Sequence, residues 1–266
     1  MRIAFLDGYN LMHRSRFGIP GPNGIIYTFF RSLRSLLEEL NPDKVYLVLE
    51  GVPEHRQQLD GDYKANRRLE PGTPKWEEMQ EFRRQKAVII DILQHLPISI
   101  AVHHKLECDD TIASLVHQYP DDERVIVSTD TDFIQLLTIP GVKIFNPVKK
   151  AYVEGVTYDY VCWKALRGDK TDNVPAVGGL TDKAAEKLLA NPKKMEAFLA
   201  EGTHQSDYNR NLNLIRLRIV DGSEIEVRPL MPDFEKVKNA FTQLRFASLI
   251  KEPAWSTFAK TFETIY

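Results

Sequence analysis

Acidic side chains are concentrated at two neighbouring chain turns, which together carry five carboxylates: Glu107, Asp109, Asp110, Asp130 and Asp132. The first three begin an apolar run with helical spacing, and negative charge is favoured at a helix N-terminus. The last two follow a β-branched run at 125–127, which is typical of a buried parallel strand. Taken singly, each is typical of a helix cap or a turn. Together they repel one another unless a cation lies among them, and so many oxygen ligands favour Mg²⁺ or Mn²⁺ over Zn²⁺.

Two further carboxylates follow predicted strands. Residues 2–6 predict a buried strand ending at Asp7, and residues 45–49 predict another ending at Glu50. The remaining predicted elements are helices at 28–40 and 79–96, strands at 98–102 and 124–128, and an edge strand near 142–145. This alternation predicts an α/β fold with a mostly parallel sheet and right-handed crossovers. Sheets of this class bind ligands at the carboxyl ends of their strands, where both carboxylates would lie.

The chain outside this sheet differs in character. Residues 51–86 are polar and highly charged, which predicts an insertion at the functional edge of the sheet. From residue 157 to 266 we predict a helical unit, with helices at 158–166 and 182–189, whose last helices pack back on a core formed by residues 1–156. Asp169 and Asp172 are three residues apart and should face the same way on one helical turn. The Gly-rich hairpin after them is equally typical of a phosphate contact and of a plain tight turn.

Composition limits the classes of function. The 266 residues are 43% apolar and 27% charged, with a net charge of −2. Setting aside nine carboxylates assigned to metal sites leaves 35 basic residues against 28 acidic ones, so the remaining surface suits a polyanion. Cys108 and Cys162 form neither a disulfide framework nor a zinc motif. The sequence shows no membrane-spanning run and no signal peptide, which predicts a soluble intracellular protein.

Four motifs occur in a characteristic order: Tyr63-Lys64-Ala65-Asn66-Arg67, Glu107-Cys108-Asp109-Asp110, Ser128-Thr129-Asp130-Thr131-Asp132 and Gly168-Asp169-Lys170-Thr171-Asp172-Asn173. In order and spacing they resemble the 5′ nuclease family, the flap endonucleases and 5′–3′ exonucleases related to PIN domains. The likeness extends from Phe5 to Leu249. Within the family, the chain resembles the nuclease domain of bacterial DNA polymerase I and free-standing phage 5′ nucleases. The resemblance implies a PIN-like sheet flanked by helices, a helical arch at 51–86 and a C-terminal helix-three-turn-helix unit.

The resemblance also implies roles for individual residues. Its first divalent-metal site would use Asp7, Glu50, Glu107, Asp109 and Asp130, and its second Asp130 or Asp132 with Asp169 and Asp172, with Asp110 as a shared or outer ligand. Lys64 and Arg67 would act catalytically on the scissile phosphate, with Arg68 beside them and Tyr63 stacking on a terminal base. The duplex-binding hairpin would use Gly178, Gly179, Thr181, Lys183 and Lys187, and K⁺ would bind on the 176–181 hairpin.

The sequence departs from the family pattern at four positions. Glu50 stands where relatives usually have Asp, and Thr131 where they usually have Lys. Ala176 and Thr181 replace two usual glycines of the hairpin, which bears on K⁺ binding. The absence of a following polymerase segment predicts a stand-alone, phage-like enzyme.

The sequence therefore predicts a Mg²⁺-dependent, structure-selective 5′ nuclease, in which Mn²⁺ can substitute. Its expected partner is DNA with 5′ ends, flaps or single-strand/duplex junctions, in replication or repair. We expect a monomer in the cytoplasm of a bacterial or phage-infected cell, with no membrane partner. One alternative is a PIN-like ribonuclease acting on RNA or RNA/DNA hybrids, although the helical unit argues against it. The other is a catalytically silent DNA-binding protein, which the full set of carboxylates disfavours.

Overall fold

The computed structural model describes residues 1–265, in which a seven-stranded sheet is the central layer. Its strands are β1 Arg2–Asp7, β2 Lys44–Val48, β3 Ser99–Val102, β4 Glu123–Val127, β5 Val142–Asn146, β6 Ala151–Tyr152 and β7 Glu226–Val227. Their order across the sheet is β6-β5-β4-β1-β2-β3-β7, with five parallel inner strands and an antiparallel strand at each edge. The predicted α/β class and parallel sheet are confirmed. The prediction that β5 is an edge strand is wrong, because β6 pairs with its outer side.

Helices cover both faces of the sheet, and others form a separate layer beyond the carboxyl ends of its parallel strands. They are α1 Gly8–Arg14, α2 Gly24–Leu40, α3 Glu54–Leu59, α4 Pro74–Leu93, α5 Cys108–His117, α6 Tyr160–Arg167, α7 Asp182–Leu189, α8 Pro192–Leu199, α9 His204–Ile215, α10 Phe234–Gln243, α11 Ala247–Ile250 and α12 Ala254–Glu263. The α4 helix begins earlier than predicted, because Pro74 suits a first helical position and the Thr73 hydroxyl accepts a hydrogen bond from the Trp76 N–H at 3.3 Å. Among residues 1–265, no helix is both long and apolar enough to cross a membrane.

Alternating side chains of the central strand enter two separate cores. Ala4 and Leu6 of β1 pack in a core with α2, α4, α10 and α12, whereas Ile3 and Phe5 pack in a second core with α5. This follows from the two-residue period of a strand, which sends successive side chains to opposite faces. The sheet is therefore buried on both sides, which leaves its carboxyl edge as the place where polar residues gather.

The α6–α9 segment forms a third apolar cluster of its own, which includes Trp163, Ala185 and Tyr208. The chain leaves the sheet after β6 and returns to it at β7, after which α10 and α12 join the first core through Phe241, Phe258 and other side chains. The helical unit thus lies between two parts of the core in the sequence.

Candidate metal centre

A cleft of about 560 Å³ lies at the carboxyl edge of the sheet, beside the helical unit. Seven of the nine predicted carboxylates line it: Asp7, Glu50, Asp109, Asp130, Asp132, Asp169 and Asp172. The sheet explains why residues so distant in sequence meet, since β1, β2 and β4 are adjacent and parallel. Their carboxyl ends place three of these side chains on one edge, and α5 and the loop after α6 supply the others.

One half of the cleft is formed by Asp132, Asp169 and Asp172, each of which offers a carboxylate oxygen within 4.8 Å of the others. The prediction that Asp169 and Asp172 lie on one helical turn is wrong. Asp169 exchanges two backbone hydrogen bonds of 2.8 Å with Val174, so the intervening residues form a tight loop. The Thr171 N–H and hydroxyl both donate to Asp169 Oδ1, at 2.8 and 2.6 Å, and fix its carboxylate. The expected closeness of the two acids is nevertheless observed.

The other half of the cleft contains Asp7, Glu50 and Asp109. Asp7 is buried and accepts hydrogen bonds from the Ser128 hydroxyl at 2.8 Å and the Asn10 N–H at 2.9 Å. Burial outweighs these bonds and raises the pKa of Asp7 to about 6. Burial also raises the pKa of Asp109, with the charges of neighbouring carboxylates adding to the effect. Glu50 as a residue is exposed, but its carboxylate is largely desolvated by the surrounding protein. This desolvation, together with the charge of Glu107, raises its pKa to about 7.

A lysine that was not predicted as a site residue also lines the cleft. Lys164 of α6 is buried, and its Nζ contacts Asp132 and lies 2.6 Å from Asp169. Burial alone would raise the pKa of Asp169, but the Lys164 ammonium and the Thr171 hydrogen bonds lower it to about 2. Arg167 lines the cleft as well. The two basic residues are three apart on a helix that leads directly into the acidic loop, and this spacing is the sequence signal that identifies them.

Glu107 and Asp110 are not among the residues that line the cleft. The buried guanidinium of Arg56 holds both Asp110 oxygens, at 2.5 and 2.8 Å, and one Glu107 oxygen at 2.7 Å. Lys64 and the Tyr63 hydroxyl contact Glu107 as well. In this arrangement protein cations neutralise both carboxylates beneath the cleft, and their role as metal ligands stays a prediction.

The residues predicted as an arch close against the acidic loop. Tyr63 is 7% exposed and its hydroxyl donates to Glu107 at 2.9 Å, and its stacking on a base stays a prediction. Lys64 Nζ contacts Glu107 and lies 3.5 Å from Asp172, and Arg67 also contacts Asp172. Two basic side chains thus stand at the margin of the cleft. Arg68 is exposed beside them.

The Gly-rich hairpin is exposed on the helical unit. Gly178 and Gly179 have φ values of +54° and +71°, which side chains other than glycine rarely adopt. At Gly178 a Cβ would also lie 2.8 Å from the His204 ring. Thr181 precedes α7, and Lys183 and Lys187 are exposed on that helix. Their contact with nucleic acid stays a prediction.

The cleft residues fit a divalent cation. All seven acidic donors offer carboxylate oxygens, the ligand type that Mg²⁺ and Mn²⁺ prefer, and three of them converge within 4.8 Å. The raised pKa values of Asp7 and Asp109 reflect burial, to which neighbouring carboxylates add, and the charge of a bound cation would offset both effects.

Comparison with known proteins then decides the family. The family model described as the 5′–3′ exonuclease, N-terminal resolvase-like domain, matches residues 2–164. The chain belongs to this family. Among curated relatives, this 5′–3′ exonuclease-family chain is 28% identical over 285 residues to a 5′–3′ exonuclease of Aquifex aeolicus, covering 94% of each chain. It is 31% identical over 220 residues to DNA polymerase I of Caldicellulosiruptor bescii, covering 74% of this chain and 25% of that protein.

The chain thus spans a quarter to a third of the DNA polymerase I relatives, since it covers 33% of the Thermus filiformis enzyme. Two solved structures share the fold of this 5′–3′ exonuclease-family chain. The 5′-exonuclease of bacteriophage T5 with bound divalent zinc ions has a TM-score of 0.65 at 18% identity, covering 100% and 99% of the two chains. The catalytic core of Rad2 in complex with a DNA substrate has a TM-score of 0.60 at 16% identity, covering 100% and 92%.

The crowded carboxylates predict an unusual dependence of stability on pH. A raised pKa means that the folded protein still binds a proton that the unfolded chain has released. The resulting contribution to stability is lost as the pH rises through the pKa of the folded state. For Asp7, whose pKa rises from 3.8 to about 6, this is roughly 2–3 kcal/mol. Without metal, we expect the melting temperature to fall by roughly 5–10 °C between about pH 5 and pH 8. Calorimetry in chelator measures it, and added Mg²⁺ should remove most of the fall.

A Glu50→Gln variant provides the control for this pH effect. His13 and His55 have pKa values lowered by burial and act in the opposite sense, but they do so equally in both proteins. The lowered pKa of Asp169 changes stability only below about pH 4, outside the tested range. Because the pKa of Glu50 is itself raised to about 7, Glu50→Gln should give a shallower pH slope, and a slope equal to that of the wild type would show that Glu50 does not contribute to the effect.

Proposed function

We propose that this chain is a divalent-metal-dependent, structure-selective 5′ nuclease that hydrolyses DNA phosphodiesters as a 5′–3′ exonuclease and flap endonuclease. The observation that carries the proposal is the convergence of seven carboxylates in one cleft with Lys64 and Arg67 at its margin. Family membership supports it, as do an Aquifex aeolicus relative named as a 5′–3′ exonuclease and a similar fold solved with a DNA substrate.

The carboxylates of the cleft would form two cation sites. Asp7, Glu50, Asp109 and Asp130 would hold one cation, and the Asp132, Asp169 and Asp172 group the other. When bound, such a pair supplies an activated water and neutralises charge on the phosphate, so no side-chain nucleophile is required.

The basic residues at the margin act on the phosphate itself. Lys64 and Arg67 contact carboxylates in the free protein and would exchange these partners for the oxygens of the scissile phosphate. Their charges would then stabilise the negative charge that develops as the phosphodiester is cleaved.

Binding of the duplex would depend on the helical unit. The exposed backbone of Gly178 and Gly179, with Lys183 and Lys187 on the next helix, faces solvent and suits phosphate contacts. Such contacts carry no base sequence information and weaken steeply with salt. We also propose the 176–181 hairpin as the place where K⁺ binds.

The remaining details of the proposal follow from the family. Mg²⁺ is the proposed cation, with Mn²⁺ as a substitute, and DNA flaps or single-strand/duplex junctions are the proposed substrates. We propose a monomer that acts in the cytoplasm, a location supported by relatives from bacteria.

A gel assay with 5′-labelled substrates tests the function. Flapped, nicked and single-stranded DNA are incubated with the protein in Mg²⁺ and in chelator, together with an RNA flap of the same sequence. We expect cleavage near the junction of the DNA flap, only in Mg²⁺, and weaker cleavage of the RNA flap. Preference for RNA would indicate the ribonuclease alternative, and binding without cleavage in either metal would indicate a silent DNA-binding protein.

A further inference from the structure

The two halves of the cleft differ in how their charge is balanced. In one half, Asp7 accepts hydrogen bonds from neutral donors, the Ser128 hydroxyl and the Asn10 N–H. In the other half, the protein supplies its own cation to the carboxylates. Lys164 Nζ contacts Asp132 and lies 2.6 Å from Asp169. An ammonium group therefore already lies among the carboxylates that would bind a metal in the second half.

The position of this lysine is fixed by its helix. Lys164 is 3% exposed on α6, five residues before Asp169, and its ammonium emerges from the wall of the cleft. A buried ammonium is costly unless it is paired, so the two carboxylates and the lysine hold one another in place. Thr131, which precedes Asp132 and also lines the cleft, carries no charge, so the cation beside Asp132 comes from α6.

An ammonium and a divalent cation cannot both satisfy the same carboxylates closely. Mg²⁺ and Mn²⁺ bind carboxylate oxygens at about 2.0–2.2 Å, so an ammonium in contact with those oxygens would lie only a few ångströms from the metal. Two positive charges at that separation repel strongly in a partly buried site. Binding of a metal to Asp132 and Asp169 therefore requires the ammonium to move away.

We propose that Lys164 is an internal counter-ion that competes with the second divalent cation for Asp132 and Asp169. It keeps these carboxylates folded together when metal is absent and weakens the second site relative to the first. The inference rests on the two-cation site of the proposed function. It makes Lys164 a positioning residue whose effect is read in metal binding.

Mn²⁺ titration of the full chain without DNA tests the proposal, followed by the paramagnetic resonance of free Mn²⁺. Lys164→Met should tighten the weaker of two Mn²⁺ sites by about tenfold or more. Lys170→Met is the matched control, since Lys170 is exposed beside the same acidic loop, and it should change the affinity by less than about twofold. Equal Mn²⁺ binding in all three proteins, or the absence of a second site in each, would overturn the proposal.

Thermal melting keeps the test decisive if Lys164→Met folds poorly without metal. We expect a lower melting temperature than the wild type in chelator and a larger rise on adding millimolar Mn²⁺, with Lys164→Gln behaving alike. The same rise in variant and wild type would make Lys164 only a structural ion pair. The flap assay separates the two proposals, because wild-type protein that cleaves flaps while all variants bind Mn²⁺ alike refutes only the competition. Tighter Mn²⁺ binding by Lys164→Met, together with wild-type protein that cleaves none of the substrates, would refute only the nuclease function.

Discussion

Replacing Asp130 with Asn is expected to lower flap cleavage by at least about a thousandfold while DNA affinity changes by only a few-fold. Asp130 lies between the two halves of the cleft, and its charge adds to the crowding at both Asp7 and Asp109. Losing a carboxylate there removes a ligand without removing a basic group, so phosphate contacts elsewhere persist. Single-turnover cleavage in Mg²⁺ and fluorescence anisotropy with a labelled flap measure the two effects.

Asp121→Asn is the matched control, because Asp121 is exposed after α5 and outside the cleft. Its cleavage rate should match that of the wild type. The double variant Asp130→Asn with Asp169→Asn extends the test to both halves of the cleft. If it still cut a flapped duplex in Mg²⁺, the assignment of this cleft as the nuclease site would be wrong.

Replacing Arg56 with Met is expected to reduce the free energy of unfolding by about 3–5 kcal/mol, because it leaves the buried Asp110 without a cation and Glu107 with Lys64 alone. The guanidinium binds Asp110 and Glu107 and also donates to the carbonyl oxygens of Leu214 at 2.7 Å and Arg216 at 3.3 Å. It thereby joins α3 to α5 and to the end of α9. Urea denaturation followed by circular dichroism measures the loss.

Arg83→Met serves as the control, since Arg83 is exposed on α4, and it should change stability by less than about 0.5 kcal/mol. Adding Asp110→Asn to Arg56→Met should recover part of the loss, because one of the stranded charges is then removed. A loss below about 1 kcal/mol for Arg56→Met would show that the buried carboxylates do not depend on this arginine.

Much of the fold follows from local patterns in the sequence. Apolar runs identify β1, β2 and β4, and adjacent parallel strands then bring Asp7, Glu50 and Asp130 to one edge. The outer strands β6 and β7 have two residues each, which is too short for any periodic pattern to reveal. They depend on their pairing with β5 and β3.

Position along a strand explains why Asp7, Glu50 and Asp130 meet in the cleft, whereas contacts with distant partners are not visible in the sequence. Glu107 and Asp110 carry the acidic motif, yet Arg56 from another helix takes their oxygens. Tyr63 is buried by the helical unit, which a motif match does not reveal. Lys164 has a helical spacing from Arg167 that was visible, but its pairing with two acids depends on the path of the acidic loop.

The return of the chain to the sheet at β7 has a mechanical consequence for the acidic loop. Since both the segment after β6 and the segment before β7 are anchored in the core, the α6–α9 unit is tethered at each end. A unit hanging from one linker would swing freely and carry Asp169 and Asp172 away from the strand ends. Double attachment limits that swing, so the acids of both chain regions stay within reach of one another in the protein alone.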